Sequence, residues 1–313
     1  MTKKTSETGI LLMAFGKPQY AQMAFNMALS IKAHGTTARI QLVHDDSVKG
    51  LRHDQLWPFD ILTPIKHDDL YSGASMNPGR AKTRMDFYTE FENTIYLDVD
   101  GICLKPIQPL IDHMDALSGY YYVQSANWYE PSNAVPTHNL KRDGLAFPQM
   151  QWALPEKIWQ VHGLKEDAEV TAINSSFTYF RKNESKAFFD SVRDNIDNGL
   201  KPGEYSLLWG GTYPDELAFN IACAQHEVNP SAMLNPIWFQ FGKPLTKPAE
   251  MTANYYFLGL YGGAHVTHSS AGDYYDRLMF GYCRNMGLTH QFKWHFLSKA
   301  KHQGKSTQLK RLN

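Results

Sequence analysis

The sequence predicts an α/β fold, a single domain built on a mostly parallel central sheet, and three observations carry that expectation. The first hundred residues alternate short apolar runs with stretches of helical periodicity, the pattern of strand, crossover helix and parallel strand. Each apolar run ends in glycine, proline or charge, as strands do where they leave a buried sheet. After Asp100 the alternation gives way to longer, turn-rich segments, which predicts a mixed second half sharing the same sheet.

In chain order, Ile10 to Phe15 reads as a buried strand closed by Gly16, Lys17 and Pro18. From Tyr20 to Ala33, Ala24, Met27, Ala28 and Ile31 recur at the spacing of one helix face. "TARIQLVHDD" is a second strand ending at Asp45 and Asp46, and a further short strand is expected from Phe59 to Thr63. Pro78 and Gly79 precede a helix over "RAKTRMDFYTEF", with Ala81, Met85 and Tyr88 on its packed side and Arg80, Lys82 and Arg84 near its start. "TIYLDVD" is the next strand. Tyr121 to Tyr129 reads as another. "TAINSSFTYFRK" alternates as a strand does, with a strand end placed at Asn174, and hands over to a helix at "ESKAFFDSVRDNI". After the turn "LLWGGTYP", Asp215 and Glu216 open the helix "PDELAFNIACA". The expected division is one domain over 1–280, with halves at 10–105 and 106–280, followed by a basic extension over 281–313.

A hydrophobic fraction of 43% with 13% aromatics is enough for a large core, and a formal net charge of +0 gives no overall bias towards polyanions or acidic membranes. Local bias is confined to the end. After Asp276 no acid follows, while Arg277, Arg284, Lys293, Lys299, Lys301, Lys305, Lys310 and Arg311 do, so the tail is either a solvated terminus or a surface for phosphates or a membrane face. Cys103, Cys223 and Cys283 form no C-x-x-C pair, which argues against a disulfide framework or cysteine zinc site and for a reducing, cytoplasmic setting. The apolar run near the start is too short for a secretory core, and no stretch reaches the length of a membrane span, so any membrane attachment is expected to be peripheral.

The first candidate for chemistry is Asp98-Val99-Asp100. With 19 aspartates in 313 residues, chance supplies roughly one such pair, so the spelling carries little and the context carries the argument. Ligands of α/β sheets gather at the carboxyl ends of strands, and side chains two apart on a strand share a face, so both carboxylates reach one hard divalent cation. The plain alternative is a solvated turn in which Asp98 caps a helix. His265 and His268, in "GGAHVTHSSAG", sit among small residues and suit manganese beside two carboxylates. His113, His162, His226 and His295 read as packing. Arg80, Lys82 and Arg84 precede the acid pair and suit phosphate, or form a solvated helix face. Asp215 either caps its helix or faces a sugar. Trp128, Tyr129, Trp152, Trp209, Tyr213, Trp238 and Phe239 suit sugar or base faces, or the core. The dinucleotide glycine fingerprint, the P-loop, G-x-S-x-G and H-E-x-x-H are missing from the sequence, which argues against the enzyme classes they mark.

Together these segments resemble the GT-A glycosyltransferases, most closely the retaining glycogenin and lipopolysaccharide galactosyltransferase-like family. The resemblance spans five blocks over residues 10 to 272 and implies a Rossmann-like GT-A domain. It implies nucleotide contacts at Ala14, Phe15 and Tyr20 from "LLMAFGKPQY", at Arg80 or Lys82, and at Asp98, Val99 and Asp100 of "YLDVD". "INSSFTYF" matches the family's "FNSG" and implies donor-sugar contacts at Asn174 and Ser175. "PDELAFN" implies Asp215 and Glu216 beside the reacting carbon, with Asn220 further along. Asp98, Asp100 and His268 are implied as ligands of Mn²⁺ or Mg²⁺. Ser176 stands where the family has glycine, Glu216 where it has glutamine, and the lysine-proline after the late histidine is missing. The implied activity is metal-dependent transfer, with retention, of a sugar from a UDP-sugar to an acceptor hydroxyl on a glycan or a hydroxylated base in DNA. The rival expectations are a metal-dependent nucleotidyltransferase acting on sugar phosphates and a non-catalytic carbohydrate-binding protein.

Overall fold

The computed structural model describes residues 7–125, 151–153, 160, 162–165, 169–171, 173–197, 215–228, 237–241, 248–260 and 270–291. Strand β1 (Thr8–Ala14) feeds helix α1 (Pro18–Ala33), which returns to β2 (Ile40–His44) and then β3 (Ile61–Pro64). A small hairpin, β4 (Tyr71–Ser72) and β5 (Ser75–Met76), precedes two short helices, α2 (Pro78–Lys82) and α3 (Met85–Tyr88), and then β6 (Asn93–Leu97) and β7 (Gly101–Cys103). The second half contributes α4 (Gln108–Ala116), β8 (Tyr121–Ser125), β9 (Gln151–Ala153), β10 (Glu169–Thr171), β11 (Ile173–Arg181), α5 (Lys186–Asp197) and α6 (Asp215–Gln225). It closes with β12 (Trp238–Phe241), β13 (Phe257–Leu260) and α7 (Ser270–Asn285).

The central sheet has six strands in the order β3-β2-β1-β6-β11-β8. β3, β2, β1 and β6 run parallel, while β11 is antiparallel to both β6 and β8, so strands of both halves share one sheet. A second sheet of three strands, β12-β13-β7, stands beside it. The period-two geometry of β1 explains its unbroken apolar run: Ile10, Leu12 and Ala14 enter one core and Leu11 and Met13 the other. β6 divides in the same way, with Ile95 and Leu97 on the first side and Tyr96 on the second. Helix α1 is buried along nearly its whole length because β7 and α7 pack on it as well as the sheet. The core continues past residue 280, where Cys283 is fully buried and the buried Gln291 donates to the Asp54 carbonyl at 2.9 Å. Arg277 and Arg284 are exposed, and the rest of the basic tail lies outside the described residues. All three cysteines are free and buried, and no helix among the described residues is long and apolar enough to cross a membrane.

The helix expected from Arg80 onwards is broken in two, and its basic side is not a solvated face. Arg84 is buried, bonding Asp69 at 3.1 Å and Asp197 at 2.8 Å, and its guanidinium also donates to the Arg80 carbonyl at 3.1 Å. Arg193 of α5 donates to the Thr83 carbonyl at 3.3 Å and to Asp86 at 2.7 Å. Side-chain donors thus take carbonyls that a continuous helix would give to backbone N–H groups, which ends α2 and restarts the chain as α3. The strand at Tyr121 is described as far as Ser125, and the remainder of that expected stretch lies outside the described residues. His162 and His226 are satisfied by Asn195 and Ser191, both at 2.8 Å, whereas His113 is exposed on α4 rather than packed.

Gly101 follows the acid pair, and its missing side chain makes room for the core. A Cβ there would meet Trp238 Cη2 at 2.5 Å, Met27 Cε at 2.9 Å and the Leu258 carbonyl oxygen at 3.0 Å. The backbone oxygen cannot swing aside as a side chain can. Gly101→Ala is therefore expected to destabilise the fold by roughly 1–3 kcal/mol, read as a lower urea midpoint with unchanged slope.

Candidate functional site

A cavity of about 640 Å³ opens at the carboxyl ends of β1 and β6. These neighbours are the point at which the strand order reverses, since the chain leaves β1 towards β2 on one side while β6 lies on the other, and α/β sheets bind ligands at such a point. Its wall has two kinds of surface. Met13, Phe15, Tyr20 and Met76 supply an apolar part, and Met76 packs against Gly16. Lys82, Tyr96, Asp98, Asp100 and Asp215 supply a charged part, with Ser75, Asn77, Pro78, Gly79 and Val99 completing the lining.

The acid pair sits on a turn rather than on a strand. β6 ends at Leu97, where the Asp98 N–H makes a last rung to the Ser176 carbonyl at 2.9 Å, and the Leu260 N–H donates to the Asp100 carbonyl at 2.9 Å. The turn is thus fastened at one end to the main sheet and at the other to the three-stranded sheet. Val99 between them is buried in the core, while both carboxylates are half-buried on the cavity wall. It is the crossing between sheets, not a shared strand face, that brings the two carboxylates to one cavity.

Lys82 organises the charged part. Its side chain is only 9% exposed, and Nζ donates to Asp98 Oδ1 and to Ser175 Oγ, each at 3.0 Å, with Asp215 Oδ2 at 3.7 Å. The Tyr96 hydroxyl donates to the same Asp98 oxygen at 2.6 Å, and Ser175 Oγ donates onward to Glu216 Oε1 at 3.2 Å. Burial alone would lower the Lys82 ammonium, but the charges of Asp98, Asp215 and Glu216 overcome it and hold its pKa above the ordinary value. Burial raises Asp215, with Lys82 only partly offsetting it. Burial, then the charge of Asp215, pushes Glu216 from its ordinary 4.5 up to about 7.

That shift makes a stability prediction. A carboxyl raised on folding binds more protons in the native chain than in the unfolded one, so its contribution is complete below about 4.5 and is lost as the pH climbs through about 7. With chelator present, the protein is expected to lose stability between pH 5 and 8, and Glu216→Gln to flatten that slope, as measured by denaturant unfolding across the range.

Not every expected contact meets in the cavity. Phe15, Tyr20, Lys82, Asp98, Val99, Asp100 and Asp215 line it, and Ser175 and Glu216 join it through Lys82. Ala14 is buried in the core and its carbonyl accepts from Ser47. Arg80 is paired with Asp197 at 3.7 Å. Asn174 is the second residue of β11 rather than the end of a strand, and its Oδ1 accepts from the Ser176 N–H at 3.0 Å beside a register shift in the β11–β8 ladder. Trp238 is core, and His265 and His268 lie outside the described residues. Tyr96, Asn77 and Met76 also line the cavity, beyond the contacts expected from the sequence. Tyr96 was legible in principle, since it stands two residues before Asp98, and Asn77 before Pro78 is a helix-cap signal. Met76 reaches the cavity only through the tertiary placement of its hairpin.

Among the described residues no group of three histidine, cysteine or carboxylate side chains is close enough to hold a metal by itself. Asp98 and Asp100 nevertheless offer a hard, all-oxygen donor pair on a cavity wall, which suits a divalent cation completed by ligand oxygens.

No family model matches the chain, and no curated protein matches it in sequence. The apo structure of the bifunctional glycosyltransferase WbbM shares its architecture, with a TM-score of 0.53 at 9% identity over 93% of this chain. The fold is GT-A-like. The chain spans about half of WbbM, 52% of its length. The galactosyltransferase LgtC, in complex with donor and acceptor sugar analogues, gives 0.47 at 14% identity, over 87% of this chain and 95% of that one. Mouse xyloside xylosyltransferase 1 in its apo form gives 0.47 at 11%, over 82% and 98%. Within this GT-A-like fold, the reversal of strand order puts the acid-pair turn and the Phe15 end of β1 on one cavity.

Proposed function

We propose that the chain transfers a sugar from a nucleoside diphosphate, a UDP-sugar, to an acceptor glycan hydroxyl with retention, using Mn²⁺ or Mg²⁺. The observation that carries this reading is the charge balance on the cavity wall, where among the described residues Asp98, Asp100 and Asp215 stand against the single ammonium of Lys82. Such a wall repels a diphosphate unless a cation reverses its sign. Asp98 and Asp100, with His268, would hold that cation. When bound, it supplies Lewis-acid stabilisation of the charge growing on the leaving diphosphate.

The chain's own residues do the rest. Phe15, Tyr20 and Met13 offer a base-sized apolar surface, and Met76 closes it. Lys82 adds a fixed positive charge to the phosphate side. Asp215 faces the donor sugar, and Glu216 orients its hydroxyls through the Ser175 contact. A Glu216 carboxyl raised to about 7 carries a proton for much of the neutral range, so it donates a hydrogen bond where the resembling family places a glutamine amide. Asn174 holds the irregular stretch of β11 that presents Ser175. Retention needs no separate base, because the leaving diphosphate can accept the proton of the incoming hydroxyl.

The test is product analysis over a panel of UDP-sugars, with Mn²⁺ and with chelator. Metal-dependent release of UDP is expected. Formation of a sugar phosphate with UTP when pyrophosphate is added would instead establish nucleotidyl transfer, and failure to bind any nucleoside diphosphate would overturn both.

A further inference from the structure

Asn77 stands on the cavity wall between its two kinds of surface. On one side Met76 packs against Gly16, next to Phe15; on the other, Gly79 lies against Asp215, and Lys82 reaches Asp98. The side chain caps α2, with Oδ1 accepting the Arg80 N–H at 3.1 Å. That bond settles which end of the amide is which, because only the oxygen can face a donor. The amino end, Nδ2, is buried and has no hydrogen-bond partner among the described residues, in a residue only 4% exposed.

A buried amide donor without an acceptor is costly and rare in native proteins. Capping does not account for it, since serine or aspartate caps a helix as well and brings no amide to bury. We propose that Asn77 binds the donor substrate, its Nδ2 donating to a ribose or phosphate oxygen of the nucleoside diphosphate. The assignment rests on the donor reading above and adds to it a residue that fixes the nucleotide between base and cation. It follows from position: the stretch between the apolar and the acidic surfaces is where the ribose and its first phosphate must pass.

Asn77→Ser and Asn77→Asp both keep a capping oxygen and remove the amide donor. Binding of uridine, UMP and UDP, measured by titration calorimetry with Mn²⁺ present, should weaken about tenfold for UDP in the serine variant and further in the aspartate variant, at an unchanged melting temperature. Weakening for uridine as well assigns the acceptor to the ribose; weakening for UMP and UDP alone assigns it to a phosphate. Parent-like UDP binding by the serine variant overturns the assignment, as does a fall in melting temperature that accompanies the binding loss in both variants. If the parent chain itself binds no UDP, the donor reading falls and Asn77 with it, so the two failures are distinct.

Discussion

Asp100→Ala is expected to lower sugar transfer by about a thousandfold or more while the chain stays folded. The magnitude is that of removing one group from a preorganised set that stabilises developing charge, ~4 kcal/mol of transition-state stabilisation. Folding is spared because the turn is held by the backbone: the Asp100 carbonyl accepts from Leu260, and Asp98 N–H donates to Ser176, both at 2.9 Å and both independent of the carboxylate. The measurement is a steady-state rate with Mn²⁺ alongside a melting curve. Activity within tenfold of the parent would sink the metal role of Asp100.

Lys82→Met acts on both stability and transfer. It removes the ammonium that Asp98 and Asp215 share on the cavity wall, leaving these carboxylates, 28% and 25% exposed, without that partner. Breaking such a pair leaves uncompensated charge, at a cost of roughly 2–4 kcal/mol for carboxylates that keep some contact with water. The sign of the pH dependence follows. Loss of Lys82 removes a charge that holds Asp215 and Glu216 down, so the folded variant takes up protons at neutral pH that the unfolded chain does not, and its deficit should be largest near pH 8 and shrink towards pH 5. Added Mn²⁺ should raise the melting temperature of this variant more than that of the parent, because the cation replaces the missing charge. Equal stability of variant and parent from pH 5 to 8 would show that Lys82 does not balance these acids.

Much of the frame was legible along the chain. The apolar run at Ile10 and the helical spacing from Tyr20 to Ala33 are local signals, and β1, α1 and β2 followed from them. "TIYL" read as a strand and became β6. Less legible was the stretch around Arg80 to Arg84, because three cations at a helix start look alike in sequence. Only the partners separate them: Asp98 for Lys82, Asp69 and Asp197 for Arg84, and Asp197 for Arg80. Those partners come from residue 69 to residue 197, and no local pattern contains them.

The sequence by itself determined the α/β class, the position of Asp98 and Asp100 at the end of a buried strand, and Asp215 with Glu216 at a helix start, because each depends on neighbours a few residues away. The tertiary structure decided what those residues face. It turned the acid pair into a bridge between two sheets, filled the space beside Gly101 with Trp238, and set Lys82 among carboxylates from two separate segments. Burial and charge are properties of assembled surroundings, so the raised Glu216 carboxyl and the buried amide of Asn77 exist only once the strands have crossed and the cavity has closed around them.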